Sequence, residues 1–353
     1  MKILVIGPSW VGDMVMSQSL YRTLKAKHVT ASIDVMAPQW CLPLLNRMPE
    51  VNQALLMPLG HGRLALGQRR RLGIALREKN YDRAYVLPNS FKSALIPFFA
   101  AIPQRIGWRG EMRYGLLNDI RILNTLAFPM MVQRYVALGY DKQAISSSAD
   151  LSPLLRPQLH VSNAEQIAIS HTFALNPHRS IIALCPGAEF GPAKRWPHYH
   201  YAALGQQLIN DGYQIILLGS PKDHQIAQEI CLALDENNRD YCFNLAGQTS
   251  LEQAVILIAA CHAIVSNDSG LMHIAAALDK PLIALYGPSN PEFTPPLSDK
   301  AAVIRLIKGY QRIRRGDADQ GYHQSLIDIK PKQVVTALYQ QLMANSHVTA
   351  ESF

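Results

Sequence analysis

A chain of 353 residues exceeds the size at which a single hydrophobic core stops growing, so two domains are expected. Its 48% hydrophobic and 17% charged residues exclude a disordered protein, and no apolar run reaches the roughly 18 residues of a bilayer-spanning helix. The formal net charge of +8 calls for something anionic (nucleic acid, a phospholipid face or a phosphorylated substrate) without choosing among them.

The start of the chain, residues 2–7, reads as a buried strand rather than a leader peptide, because its apolar stretch is short and no small-residue cleavage site follows. A helix is expected from Gly12-Asp13 to about residue 27, then strands at 32–37, 54–57 and 83–87, with helical segments near 62–78 and 90–101. Strands separated by helices imply right-handed crossovers and a parallel sheet. Residues 120–180 are less periodic, carry Ser146-Ser147-Ser148, Pro153 and Pro157, and end in a helix near 163–174, so the domain connection is placed there. A second alternating series follows: strands at 180–185, 214–218, 243–245, 263–265 and 282–286, helices at 198–211, 222–234 and 251–260, and a helix ending at 278. The whole reads as an α/β protein of two doubly wound domains facing each other across a cleft, with a final helix at 331–344 packing back on the first domain. Five cysteines (Cys41, Cys185, Cys231, Cys242, Cys261), odd in number and without C-x-x-C spacing, argue against a disulfide framework or a zinc site and fit a reducing cytoplasm.

In open parallel sheets ligands bind beyond the carboxyl ends of the strands. Four loops at such positions stand out. Gly7-Pro8-Ser9-Trp10-Val11-Gly12-Asp13 lacks the G-x-G-x-x-G spacing of a dinucleotide site. Asp13 fits two compatible readings, a cap for orphan backbone N–H groups and a general base. In Pro186-Gly187-Ala188-Glu189-Phe190-Gly191-Pro192-Ala193-Lys194-Arg195-Trp196-Pro197, the adjacent cations are either a solvated pair or positioned donors for a diphosphate. Ser266-Asn267-Asp268-Ser269-Gly270-Leu271-Met272-His273 opens a helix whose N-terminus favours an anion. Capping accounts for Asp268 or Ser269, but not for Asp, Ser, Gly and His clustered at one strand end; His273 fits a partly buried structural histidine or a ligand contact. Tyr286-Gly287-Pro288-Ser289-Asn290-Pro291 suits a phosphate or ribose wall, and equally a tight turn. Three of the four loops lie in the second half, so a nucleotide is expected there and an acceptor on the first half. No Walker A, H-E-x-x-H, G-x-S-x-G or D-x-D motif sits at a useful position.

These segments, together with Pro88-Asn89-Ser90-Phe91-Lys92-Ser93 and Gly107-Trp108-Arg109-Gly110-Glu111, resemble the ADP-heptose:lipopolysaccharide heptosyltransferase family over nearly the whole chain. The P-G-A-E-F-G-P-A-K-R-W-P block looks like the family's second transferase rather than its first. The resemblance implies a GT-B fold: an acceptor-binding Rossmann-like domain at 1–165, a donor-binding one at 166–330, and a terminal helix and tail at 331–353. It implies an inverting transfer of heptose from ADP-L-glycero-D-manno-heptose to the first heptose of Kdo-lipid A. Asp13 then matches the catalytic base, and Lys194 the catalytic cation near the donor phosphates with Arg195 beside it. Gly187, Asp268, Ser269, Gly270, Met272, His273 and Gly287 match the donor site; Ser9, Trp10, Lys92, Arg109 and Arg113 fall to the acceptor.

The acceptor is anionic through carboxylates and phosphates, which basic groups of the first half would meet: Arg63, Arg69, Arg70, Arg71, Lys92, Arg105, Arg109 and Arg113. For Arg69, Arg70 and Arg71 a solvated helix face is the favoured reading. No metal or cofactor is required, ADP-heptose being a substrate, and stimulation by magnesium stays open. A cytoplasmic enzyme, peripheral at the inner leaflet of the inner membrane and without a nucleic-acid partner, is expected. The rival readings are a GT-B-type nucleotide-sugar epimerase, an NAD-dependent oxidoreductase, and a non-catalytic binder of nucleic acid or anionic lipid.

Overall fold

A computed structural model describes residues 1–60, 62–189, 191–309, 313–316 and 318–350. Phe190, inside the second motif, and the last three residues of the tail lie outside the described residues. The chain divides into two units, Met1–Pro157 and Gln158–Phe353.

The first unit holds β1 (Lys2–Ile6), β2 (Ser32–Ala37), β3 (Val51–Leu56), β4 (Arg83–Val86), β5 (Gln104–Trp108) and β6 (Asp119–Arg121). They pair in parallel in the order β3-β2-β1-β4-β5-β6. β1 lies at the centre because Ile3, Leu4, Val5 and Ile6 are apolar without alternation, as a strand covered on both faces must be; none is more than 2% exposed. Its helices are α1 (Val11–Lys27), α2 (Leu42–Leu45), α3 (Leu66–Ala75), α4 (Leu95–Phe99) and α5 (Met131–Ala137). The segment expected as one helix over 90–101 is a 3-10 turn, Phe91–Ala94, followed by the short α4.

In the second unit β7 (Ile181–Cys185), β8 (Gln214–Leu217), β9 (Cys242–Asn244), β10 (Ala263–Asn267), β11 (Leu282–Leu285) and β12 (Ala301–Ile304) pair in parallel as β12-β11-β10-β7-β8-β9. This is the path of the first sheet repeated: the first strand is central, the next two go one way and the last three the other. Its helices are α6 (Asn163–Thr172), α7 (His198–Asn210), α8 (His224–Leu232), α9 (Glu236–Arg239), α10 (Leu251–Ala260), α11 (Gly270–Ala277), α12 (Gln324–Ile327) and α13 (Pro331–Ala350). Each sheet therefore has its switch point where the winding reverses, between β1 and β4 and between β7 and β10.

Three further features differ from the expectations. The division falls after Pro157 rather than at residue 165, so α6 belongs wholly to the second unit. There Ser162 caps it, accepting from Glu165 N–H while the Glu165 carboxylate returns to Ser162 N–H. Residues 120–180 hold a further helix, α5, which packs on α1. The closing helix begins where expected, but Val334, Val335 and Leu338 sit in the second unit's core with Trp196, Tyr201 and Leu208. Its apolar stripe completes the cover over α7, β11 and β12.

Candidate active site

At the first switch point, the loop after β1 and the loop after β4 border a cavity of about 250 Å³. Its lining includes Pro8, Ser9, Trp10, Asp13, Asn89, Trp108, Arg134 and Tyr135. Gly7 seats the loop against β2, donating its N–H to Met36 O at 2.9 Å. A Cβ at Gly7 would stand 3.2 Å from that same oxygen and 2.9 Å from the Met14 methyl, so the close approach favours glycine. Ser9 O accepts from the Trp40 indole at 2.9 Å, which fixes the turn into α1.

The cap of α1 is Trp10, without a side-chain cap bond, and Asp13 stands in the first turn. Asp13 is therefore not the N-cap residue, and what survives of the structural reading is a favourable place near the positive end of the helix. Tyr135 of α5 hydrogen-bonds it. Burial, then the Asp13 charge, pushes the Tyr135 hydroxyl well above its ordinary pKa, so it remains a protonated donor to the carboxylate. Arg134 adds a cation to the same wall, with Nε donating to Phe128 O at 2.9 Å. Neither Tyr135 nor Arg134 was among the expected site residues. The signal was Met131, Val132, Tyr135 and Val136 at helical spacing, inside a stretch read as a connection.

Of the expected acceptor residues, Ser9 and Trp10 line the cavity, while Lys92 is half-buried and Arg109 exposed beside neighbouring loops. Arg113 is a correction. It is 2% exposed, and its guanidinium donates to Pro88 O (2.7 Å), Ser93 Oγ (3.3 Å), Asn89 Oδ1 (3.3 Å) and Trp108 O. Burial lowers its pKa to about 10, against the opposing pull of Glu111, so it stays charged and ties the loop after β4 to the end of β5. Arg113→Ala is expected to destabilise the protein by about 2–4 kcal/mol, because buried carbonyls lose a charged donor. Denaturant unfolding reads this; an unchanged stability with a large rise in acceptor KM would return Arg113 to the binding surface. Arg69 is a second correction: it is 4% exposed, with Nε on Leu64 O at 2.7 Å, whereas Arg70 and Arg71 are exposed as expected.

At the second switch point the loops after β7 and β10 are bound together by fully buried Asn267. Its Oδ1 accepts from Trp196 N–H (3.0 Å) and the Tyr201 hydroxyl (3.1 Å), and its Nδ2 donates to Pro186 O (2.8 Å). With Trp196 turned into the core, the two preceding cations face two acids. Lys194 Nζ lies 2.7 Å from Asp268 Oδ2, and Arg195 Nη2 lies 3.1 Å from Asp223 Oδ1. Asp223 is a residue that sequence reasoning missed; its other oxygen accepts from Ser220 N–H and Oγ. Gly187 is required by the same carboxylate, since a Cβ there would stand 2.5 Å from Asp223 Oδ2.

Ser269 is the N-cap of α11, yet its side chain makes no cap bond and instead lies 3.3 Å from Ser266 Oγ. The first-turn N–H groups starting at Gly270 are thus not capped by Ser269, at the end of the helix that favours an anion. Met272 is fully buried, with the Tyr286 hydroxyl 3.4 Å from its sulfur, so its side chain serves the core and only its backbone is available to a ligand. Gly287 lies against α12: a Cβ would come within 2.8 Å of Leu326. Among the described residues no group of three or more His, Cys, Asp or Glu is arranged to hold a metal ion.

His273 is 6% exposed, and burial lowers its pKa to about 4 despite the nearby Asp268 carboxylate, with Lys194 adding to the lowering. It is neutral at physiological pH. Because the folded form resists a proton that the unfolded chain takes up near pH 6.5, stability is full above that pH and falls as pH drops toward 4. His273→Gln is expected to flatten this acid limb, by about 1–3 kcal/mol at most, in unfolding curves taken between these pH values. An identical pH dependence in the variant would contradict the burial argument.

Two doubly wound parallel sheets in sequence, one with an acid at its switch point and the other with cations and an open helix N-terminus, are the arrangement expected of a GT-B-type glycosyltransferase. Residues 69–323 match glycosyltransferase family 9 (heptosyltransferase). Lipopolysaccharide heptosyltransferase 2 of Salmonella typhimurium (strain LT2) is 68% identical over 97% of this chain and 99% of its own length. Its Escherichia coli (strain K12) counterpart is 67% identical over 96% and 97%. The solved structure of E. coli ADP-heptose LPS heptosyltransferase II superposes with a TM-score of 0.91 at 62% identity, covering 98% of this chain and all of that one. The chain belongs to glycosyltransferase family 9, the heptosyltransferases.

Proposed function

We propose that the enzyme moves heptose from ADP-L-glycero-D-manno-heptose to the first heptose of Kdo-lipid A, inverting the anomeric carbon, during assembly of the lipopolysaccharide inner core. The acceptor hydroxyl gives its proton to Asp13 as its oxygen attacks the anomeric carbon. The bond from that carbon to the ADP oxygen breaks, and both of its electrons leave with ADP. Lys194 and the N-terminus of α11 meet the charge gathering on the departing diphosphate. Arg195, held by Asp223, and the backbone at Gly187, Gly270 and Gly287 shape the donor side, with Asp268 orienting Lys194 and Ser269 turned to Ser266 so that the helix start stays open. No resident metal is assigned a step.

The observation that carries this reading is the placement of Asp13: it borders a cavity at the switch point, accepts from Tyr135, and is not the cap residue of its own helix. The Salmonella and E. coli relatives are lipopolysaccharide heptosyltransferases, which supports the product. The solved E. coli enzyme is an ADP-heptose transferase, which supports ADP-heptose as donor. Among the described residues no helix is long and apolar enough to cross a membrane, so a lipid-linked acceptor would be met at the bilayer surface. The test is incubation with ADP-heptose and mono-heptosylated Kdo-lipid A. The lipid is expected to gain the mass of one heptosyl residue with the opposite anomeric configuration to the donor. Absence of any gain, with donor bound, would overturn the proposal.

A further inference from the structure

We infer that the face formed by α3 and α4 docks the enzyme on an anionic lipid bilayer, an inference that rests on the acceptor being lipid-linked. Residues 51–77 contain five arginines and no acid; the first acid beyond them is Glu78. One of the five, Arg69, turns inward and holds the backbone oxygens of Leu64 and Arg63, at 2.7 and 3.3 Å. That tie fixes the entry to α3, which begins on Ala65 at φ +43, a left-handed conformation unfavourable for alanine, with no side-chain cap. Gly73 then lets α3 lie directly on α4, since a Cβ would stand 2.5 Å from Phe99 Cβ.

The consequence is an inverted surface. Leu64 and Leu66 are each 50% exposed, Ile74 37% and Phe98 40%, while Arg70 and Arg71 are exposed among them. A helix serving only the core would turn its leucines inward and its charges outward. Here Arg69 and Leu72 turn inward while Leu66, Ile74, Arg70 and Arg71 reach solvent, with no acid on the helix, and the Arg105 guanidinium lies over the Phe98 ring at 5.7 Å. Cations interspersed with apolar side chains match a surface that is anionic at the headgroups and apolar just beneath. A nucleic acid would use the arginines but leave the four apolar side chains in water, so the bilayer is the better complement.

The experiment is co-sedimentation of the full chain with vesicles of phosphatidylcholine alone or mixed with phosphatidylglycerol. The wild type is expected to bind the anionic vesicles, weakening with salt, and Arg70→Glu/Arg71→Glu and Leu64→Ser/Leu66→Ser to bind about tenfold less each. Thermal unfolding guards against misfolding. The leucine variant should also retain wild-type transfer to a soluble acceptor saccharide without acyl chains, and lose about tenfold on the vesicle-embedded acceptor. A wild type that ignores anionic vesicles, or variants that bind them equally well, would overturn the inference. Failure of the transferase reading would show separately, as no transfer by the wild type to the soluble acceptor.

Discussion

Asp13→Asn is expected to slow heptosyl transfer by about 10²–10⁴-fold while leaving the affinity for ADP-heptose unchanged. The substitution keeps the shape of the side chain and its capacity to accept from Tyr135, and removes the negative charge and with it the ability to take a proton. The helix should persist, because Trp10 rather than Asp13 occupies the cap position of α1. Single-turnover transfer rates, beside calorimetric donor binding, separate the two effects. Tyr135→Phe should lower the rate less, since it removes one donor from the carboxylate but leaves it basic. It should also move the acidic limb of the pH–rate profile upward, because a donor that favours the charged carboxylate is lost. If Asp13→Asn turned over at the wild-type rate, Asp13 would be reduced to a first-turn acid favoured by the helix dipole, worth about 0.3–1 kcal/mol.

Lys194→Ala carries the second large effect, a loss of about 10²–10³ in turnover, because the cation that meets the leaving diphosphate is removed. It also leaves Asp268, whose side chain is only 9% exposed, without its cation at 2.7 Å. A partly buried carboxylate deprived of its partner costs stability, here about 1–3 kcal/mol. The double variant Lys194→Ala/Asp268→Asn distinguishes these consequences. Its thermal midpoint should recover most of the loss, since no unpaired charge remains, but its turnover should not recover. Recovery of turnover together with stability would mean that Lys194 acts only as a structural partner of Asp268.

The parts of the fold legible in the sequence were those with redundant signals. β1, β7 and β11 are continuous apolar runs flanked by glycine or proline, and the loops after them lead to Asp13, Lys194, Arg195 and Gly287. β5 and β6, QRIGW and DIR, are too short and too polar to register; they exist because the sheet extends past β4 and supplies their partners. β12, AAVI, is apolar but short, and it too takes its place from a neighbour, β11.

Within the site, motifs gave identities but not directions. Lys194, Arg195 and Asp268 were found, yet nothing local says that Lys194 pairs with Asp268 after β10 and Arg195 with Asp223 after β8, because both acids are distant in the chain. Tyr135 meets Asp13 in the same way. Arg113 and Arg69 show the opposite failure: an arginine reads as surface until backbone carbonyls are seen to absorb its guanidinium. Met272 could have been read correctly, since it leads into the apolar run Ile274–Ala277 of a helix buried all round from 272 to 277.

The most direct measurement of the central claim is ADP release from ADP-heptose, followed with and without mono-heptosylated Kdo-lipid A, for the wild type and Asp13→Asn. Transfer driven by a base acting on the acceptor predicts one ADP released per heptose transferred, no release without acceptor, and near silence in the variant. Release of ADP at full rate in the absence of acceptor, undiminished by Asp13→Asn, would contradict it and point to a donor-consuming reaction that needs neither the acceptor nor this carboxylate.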